Sequence, residues 1–470
     1  MGVFVAVGLF FHGVRLEAQE AMPKNRPNVL FIISDDQGFG DFGFNGNKMV
    51  QTPVLDQLAT DSALFKSFAV TPACSPSRIS FYTGRNHFVT GVWGVPPRAN
   101  PLPDEIRMPA FFKSQGYRTL HVGKLDCVIA GKEKPTAFGW EEWMGGGGYE
   151  QKDPMIYGSS ANRKMQGWTC DLYTDATIDY VTRHANEPWF VSLAYIIPHL
   201  PWECEEKYKA PFLAKGCSPS LADCYGSIAQ MDANIGRLLE ALRKTGQSER
   251  TIVVFVSDNG ATSKEAHKQA ESNDGYISDK DWEIRNVAKL RGCKAGVWEN
   301  GIRVPLIVSW PGRIMKGERA QFGGAEDILP TMLDLAGIDT KSVPHLPWDG
   351  VSLVPALLDS KSVFQRPELF RMVIWGEGGP VFVKGSPELP DEKNKNYEEH
   401  HLTLRGAVYK FHTRPGGGKL LFNIQEDPGE RKDISAENPE IVAQMDLRCR
   451  QQWEELVSSG RAFLPGEKKK

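Results

Sequence analysis

The chain of 470 residues carries a formal net charge of -3, and 41% of its residues are hydrophobic. That length supports a large core and more than one domain. The near-balanced charge excludes the basic surface of a nucleic-acid-binding protein, so any anion site must be built from local charge.

Residues 3–11 form an apolar run, with small residues at Ala18 and Ala21. The run is too short to span a bilayer and reads as the core of a signal peptide over residues 1–21, which predicts a secreted or periplasmic location. The first basic residue, Arg15, follows the run. No other segment reads as transmembrane, so no stable membrane insertion is expected. The eight cysteines show no Cys-x-x-Cys zinc spacing, and any disulfide pairing stays open.

Residues 28–34 are continuously apolar, the pattern of a strand buried on both faces. Asp35 and Asp36 follow; alone, the pair reads equally well as a solvated turn or as oxygen ligands for a hard cation. Thr52 and Pro53 open a helix over 52–62. Next comes Cys74-Ser75-Pro76-Ser77-Arg78, continued to Thr83-Gly84-Arg85. Pro76 suits the first helical position and Gly84 the exit. Cys74 then precedes a helix N-terminus, whose partial positive charge attracts anions and lowers a thiol pKa. A buried cysteine beside a capping proline fits the same residues.

A helix over 104–115 stops at Gly116. The strand 117–122 ends in Gly123-Lys124-Leu125-Asp126, with His121 facing away from Lys124 if the strand continues. The glycine run 145–148 lacks the context of a nucleotide cradle and reads as a loop. A helix over 172–185 leads to the apolar strand 189–197, which ends in Pro198-His199-Leu200-Pro201. Ile228, Met231, Ile235, Leu238 and Leu242 mark a core-facing helix over 227–244. The strand 251–257 ends in Asp258-Asn259-Gly260, by itself a turn signal. After residue 305 come a strand over 306–310 and a helix over 327–336. Beyond residue 362 the composition shifts. Strands are expected at 372–375, 403–412 and 419–424, with a charged loop at 391–399. Asn438-Pro439 caps a final helix with Ile441, Met445, Cys449, Trp453 and Leu456 on one face.

The run from Cys74 to Arg85 resembles the signature of the formylglycine-dependent sulfatases of the alkaline-phosphatase superfamily, and the likeness extends from about Asn28 to the chain end. The resemblance implies that Cys74 is oxidised to formylglycine by a maturation enzyme and that its hydrate is the nucleophile. It leaves seven unmodified cysteines, so at least one is unpaired. It also implies sulfate contacts from Lys124, from His199 in its Pro-His-x-Pro setting, and from Lys294 in the segment Leu290 to Pro305. Arg78 adds positive charge. Glu299 and Arg303 are expected to hold that segment together. Two positions depart from the family pattern. Asn300 stands where a glycine is usual, and Asp126 stands where Gly-Lys-Trp-His has its histidine. Asp126 is the candidate replacement base.

Four polar clusters thus end predicted strands, with helices between them, which predicts an α/β fold with a large, mainly parallel central sheet flanked by helices. Sites in such sheets lie outside the carboxyl ends of the strands. Asp35, Asp36, Asp258 and Asn259, with residue 74, form a hard oxygen ligand set suited to Ca2+ or Mg2+ rather than zinc, and the resemblance favours Ca2+. It also implies a catalytic domain over 22–362 and a small C-terminal α+β subdomain over 363–470. The expected reaction is hydrolysis of a sulfated carbohydrate, with His199 or Lys294 protonating the departing alcohol. A catalytically silent glycan-binding relative and a phosphatase or phosphodiesterase on the same fold are the alternatives. A pocket rim is expected near His87, Trp93, Trp298 and the 391–399 loop.

Overall fold

The computed structural model describes residues 26–92, 94–95, 101–126, 134–146, 148–160, 162–262, 277–372, 396–459 and 461. The expected signal peptide, Trp93, residues 373–375 and most of the 391–399 loop lie outside them. Among the described residues, no helix is long and apolar enough to cross a membrane.

The main sheet contains β1 (Asn28–Ser34), β2 (Ala63–Ala69), β3 (Arg118–Gly123), β4 (Glu142–Gly146), β5 (Met155–Gly158), β6 (Arg163–Lys164), β7 (Trp189–Ala194), β8 (Thr251–Ser257), β9 (Arg303–Ser309), β10 (Gly317–Glu318) and β11 (Gly323–Gly324). Its order is β10-β2-β9-β8-β1-β7-β3-β4-β5-β6, with β11 also on β2. The centre is parallel: β1 pairs with β7 and β8, and β3 with β7 and β4. Strand β9 runs antiparallel to β8.

The continuous apolarity of β1 has a direct cause. Val29, Phe31 and Ile33 enter one core with Ile79, Phe81, Met108 and Ile328. Leu30 and Ile32 enter the other with Tyr173, Met231, Ile235 and Leu238. Successive side chains of a strand point to opposite faces, so a strand covered on both sides cannot alternate with polar residues. Each such side chain contributes roughly 1.5–3 kcal/mol by burial.

The helices on these faces include α1 (Pro53–Thr60), α2 (Cys74–Thr83), α3 (Met108–Ser114), α4 (Thr169–Arg183), α5 (Glu206–Ala214) and α6 (Pro219–Lys244). Helix α2 begins at Cys74, not at Pro76, because Ala73 is the extended N-cap residue; Gly84 closes it in the left-handed region. Helix α3 starts later than expected. Asp104 and Glu105 pair with Arg461 instead of entering the helix. Helix α6 starts earlier, with Ser218 accepting from Leu221 N ahead of Pro219. The apolar run 189–197 is strand only to Ala194, although Tyr195 N still donates to Ile33 O and Asp35 N to Ile197 O.

A second, antiparallel sheet holds β12 (Leu369–Met372), β13 (Leu402–Arg405), β14 (Tyr409–Arg414) and β15 (Gly418–Asn423). The expected single strand 403–412 is a hairpin, turned where Gly406 N donates to Tyr409 O. The final helix, Pro439–Ser458, lays Met445, Cys449, Trp453 and Leu456 on Leu402, Leu404, Phe411 and Leu421. This is the smaller α+β unit read from the sequence.

Gly123 shows how tightly the sheet edge is built. Its φ is +102°, and a Cβ there would lie 1.9 Å from Ala194 O. Gly123→Ala is therefore expected to cost more than about 1 kcal/mol, read as a lower urea midpoint at unchanged slope.

Candidate active site

The carboxyl ends of β1, β3, β7 and β8 are laced together by backbone hydrogen bonds. Asp258 N donates to Ser34 O, and Lys124 N to Ala194 O. Asp36 turns back in the left-handed region at φ +66°, and its N–H donates to Asp258 Oδ1 at 3.1 Å. The Lys294 loop joins the same edge: Lys294 N donates to Ala261 O, and Ala295 N to Pro72 O, two residues before Cys74. Elements far apart in the chain thus deliver their side chains to one place.

Cys74 is 1% exposed, with Sγ 3.6 Å from Asp35 Oδ1 and 3.9 Å from Asp36 Oδ1. Ligand atoms of Asp35, Asp36, Cys74 and Asp258 all lie within 4.8 Å of one another. Asn259 Nδ2 donates to Asp36 Oδ1 at 2.8 Å. Asp36 Oδ2 and Asn259 Oδ1 are buried without a hydrogen-bond partner. Buried polar atoms normally have one, so two orphaned oxygens beside three carboxylates fit a hard divalent cation.

Three cations and a histidine surround this cluster. Lys124 Nζ is 2.6 Å from Asp35 Oδ2 and 3.2 Å from Asp126 Oδ2. Lys294 Nζ is 2.6 Å from Asp36 Oδ1. Arg78 donates from Nε and Nη2 to Asp258 Oδ2 at 2.9 and 2.7 Å, and from Nη1 to Lys124 O at 2.6 Å. His199 donates from Nδ1 to Leu200 O at 2.7 Å, which turns Nε2 toward Asp36 Oδ2, 3.8 Å away.

The protonation states follow from burial and neighbours. Burial pushes the Cys74 thiol well above its ordinary range, against the pull of Lys124 and Lys294, so the unmodified side chain is a poor thiolate. Burial opposes charge on Asp35, yet Lys124, His199 and Arg78 hold its carboxyl far below the usual range. Burial and the Asp35 charge push Asp258 up to about 7. Burial, then Lys294, lowers His199. Burial opposes charge on Lys294, but Asp36 and the other negative groups of the cluster together keep it a cation.

All nine residues expected at the site meet here. Neither His87 nor Trp298 lines the expected rim. His87 is fully buried, with Nδ1 on Val92 O at 2.8 Å. Trp298 is 5% exposed and stacks on His412 of the C-terminal sheet, centroids 4.4 Å apart. Beside it, Glu299 meets Arg405 at 3.2 Å and Lys410 at 3.1 Å, and Glu299 N donates to Glu430 Oε2 at 2.6 Å. The small unit therefore pins the base of the Lys294 loop. Glu299 holds that loop as expected, with partners from outside it. Arg303 is a looser neighbour at 3.8 Å.

One site residue escaped the sequence reading. Tyr149 stacks face to face on His199, with centroids 4.0 Å apart and planes at 11°. The available signal was the preceding Glu142–Gly146 segment, which is a strand parallel to β3 rather than a loop. Among the described residues no two cysteines are bonded.

A sulfatase family model matches residues 27–338. N-acetylgalactosamine-6-sulfatase of Mus musculus is 28% identical over 466 residues, covering 88% of this chain and 83% of that protein. The structure of Ps i-CgsB in complex with k-i-k-neocarrahexaose superposes with a TM-score of 0.76 at 23% identity, covering 91% of this chain and 93% of that one. The structure of BT4656 in complex with its substrate D-Glucosamine-2-N, 6-O-disulfate gives 0.71 at 18% identity, covering 95% and 100%. With the family match spanning well over half its length, the chain belongs to the sulfatase family and is an enzyme that hydrolyses sulfate esters.

Proposed function

We propose that this enzyme removes sulfate from a sulfated carbohydrate. Cys74 is matured to formylglycine by a formylglycine-generating enzyme, and Asp35, Asp36, Asp258, Asn259 and residue 74 hold a divalent cation. The observation that carries the reading is the meeting of two orphaned buried oxygens, Cys74, three cations and His199 on one sheet edge. Ca2+ is preferred to Mg2+ because it accepts irregular oxygen ligation and needs fewer retained waters. The sugar ligands and substrate named for the relatives support the carbohydrate part.

When present, the modified residue supplies a nucleophile, and the cation offsets the charge of the ester. The chain's own side chains do the rest. Lys124 and Lys294 are fixed by Asp35 and Asp36, and their remaining N–H donors are available to sulfate oxygens without reorganisation. Arg78 is fully buried and spends its donors on Asp258 and Lys124 O, so it positions the ligand set. His199 presents Nε2 to the site, and its imidazolium, opposed by burial and Lys294 but favoured by Asp36 and Asp35, transfers the Nε2 proton at the leaving oxygen.

A sugar alcohol leaves poorly and needs that proton; a nitrophenolate does not. His199→Ala is expected to lower kcat on a sugar sulfate by about 10³-fold, and on nitrophenyl sulfate by far less. Equal losses on both esters would remove this role. The ester class is tested by kcat/KM on matched sulfate and phosphate monoesters, with sulfate expected to be preferred. Preference for phosphate would point to a phosphatase.

We further propose that residues 22–362 act as the catalytic domain and 363–470 as a C-terminal subdomain. The separate apolar cluster of the second sheet supports that division. Export to a secreted or periplasmic location is proposed on the apolar run at 3–11.

A further inference from the structure

Tyr149 joins Lys124 and His199. Strand β4 runs parallel to β3, with Leu120, His121 and Val122 opposite Glu142, Trp143 and Met144. The chain therefore leaves β4 at the same carboxyl edge that delivers Lys124. The Tyr149 ring stacks on the His199 imidazole, and the Lys124 ammonium lies 4.8 Å from the ring centroid. The backbone that presents this ring is anchored on both sides. Gly146 N donates to the Tyr173 hydroxyl at 2.8 Å, and Thr169 Oγ1 donates to Glu150 O at 2.5 Å.

Stacking fixes the plane of His199, and the negative face of the phenol ring attracts the Lys124 ammonium. Its contacts with His199 and Lys124 place the Tyr149 side chain at the wall of the site. Burial keeps the phenol protonated, so it is a donor.

We propose that Tyr149 holds Lys124 and His199 in register through its ring and donates a hydrogen bond to the bound sulfate group through its hydroxyl. The proposal rests on the sulfate-ester reading above. The ring acts through its neighbours as a positioning group. The hydroxyl acts on the substrate directly.

Two variants separate these parts, each carrying formylglycine and Ca2+. Tyr149→Phe keeps the ring and loses the donor. It is expected to weaken binding of inorganic sulfate, measured by calorimetry, by about tenfold, and to raise KM for nitrophenyl sulfate to a similar extent, with kcat falling less than about threefold. Tyr149→Leu also loses the ring, and its kcat is expected to fall about 100-fold, the scale of a misplaced catalytic group. Ca2+ affinity should be unchanged in both, which separates misplacement from loss of the ligand set. A Phe variant that binds sulfate as wild type overturns the hydroxyl role. A Leu variant with the kcat of the Phe variant overturns the ring role. If wild type binds sulfate and cleaves the ester while both variants match it, only this proposal falls. If wild type does neither, the sulfate-ester reading falls and takes the proposal with it.

Discussion

Cys74→Ala is expected to lower kcat by about 10⁴-fold or more, the scale on which removal of a covalent nucleophile acts, while the fold survives. The two halves of this expectation have separate causes. Sγ lies 3.6 and 3.9 Å from two carboxylates, and those carboxylates keep Lys124 and Lys294 at 2.6 Å when it is gone. No buried charge loses its partner, so unfolding should change little. Chemistry, in contrast, loses its proposed nucleophile. Cys74→Ser sharpens the test. A serine offers an oxygen nucleophile but carries no second hydroxyl on the same carbon to expel sulfate, so sustained turnover is not expected. Steady-state kinetics with circular dichroism on the same samples checks both halves. Sustained turnover by either variant would remove residue 74 from the reaction.

The second large effect is expected from Asp36→Asn. Asp36 is the hub of the ligand cluster. It meets Lys294 at 2.6 Å and Asn259 at 2.8 Å, and its second oxygen is orphaned and aimed at the same centre. Removing its charge removes a proposed cation ligand and leaves the Lys294 ammonium without its close partner. Ca2+ affinity is expected to fall by more than about 100-fold, the upper end for loss of a merely outer-shell partner. Turnover should fall with it. Thermal melting gives a readout independent of activity. Ca2+ is expected to raise the wild-type Tm by mass action, and the variant's Tm should stay flat over the same concentrations. An equal shift in both proteins would mean that the ion binds elsewhere.

The ends of the buried strands were legible because burial on both faces forces continuous apolarity, and that run stops where the polar residues begin. Asp35 and Asp258 end such runs, whereas Lys124 and His199 were assigned through the sulfatase resemblance. Their pairing was not legible. Arg78 and Asp258 are separated by 180 residues, and only the parallel order of β1, β7 and β8 brings such positions together. Trp298 shows another limit. An aromatic residue in a loop reads the same whether it lines a rim or packs inward, and here His412 and Arg291 cover it. Tyr149 was hidden because glycines mask strand character, so the segment before it read as a loop. The hairpin at 403–412 was missed because Gly406 turns a run whose flanks are both strand-like. Asp126 was legible as a departure, and the structure gives it a partner, Lys124, at 3.2 Å.

The most direct test is release of inorganic sulfate from a panel of sulfated glycans, measured by ion chromatography. The wild-type chain is made with a formylglycine-generating enzyme and Ca2+, and mass spectrometry verifies residue 74. The account predicts sulfate release from at least one glycan, abolished by Cys74→Ala. Formylglycine present at residue 74 with no sulfate released from any glycan would contradict it.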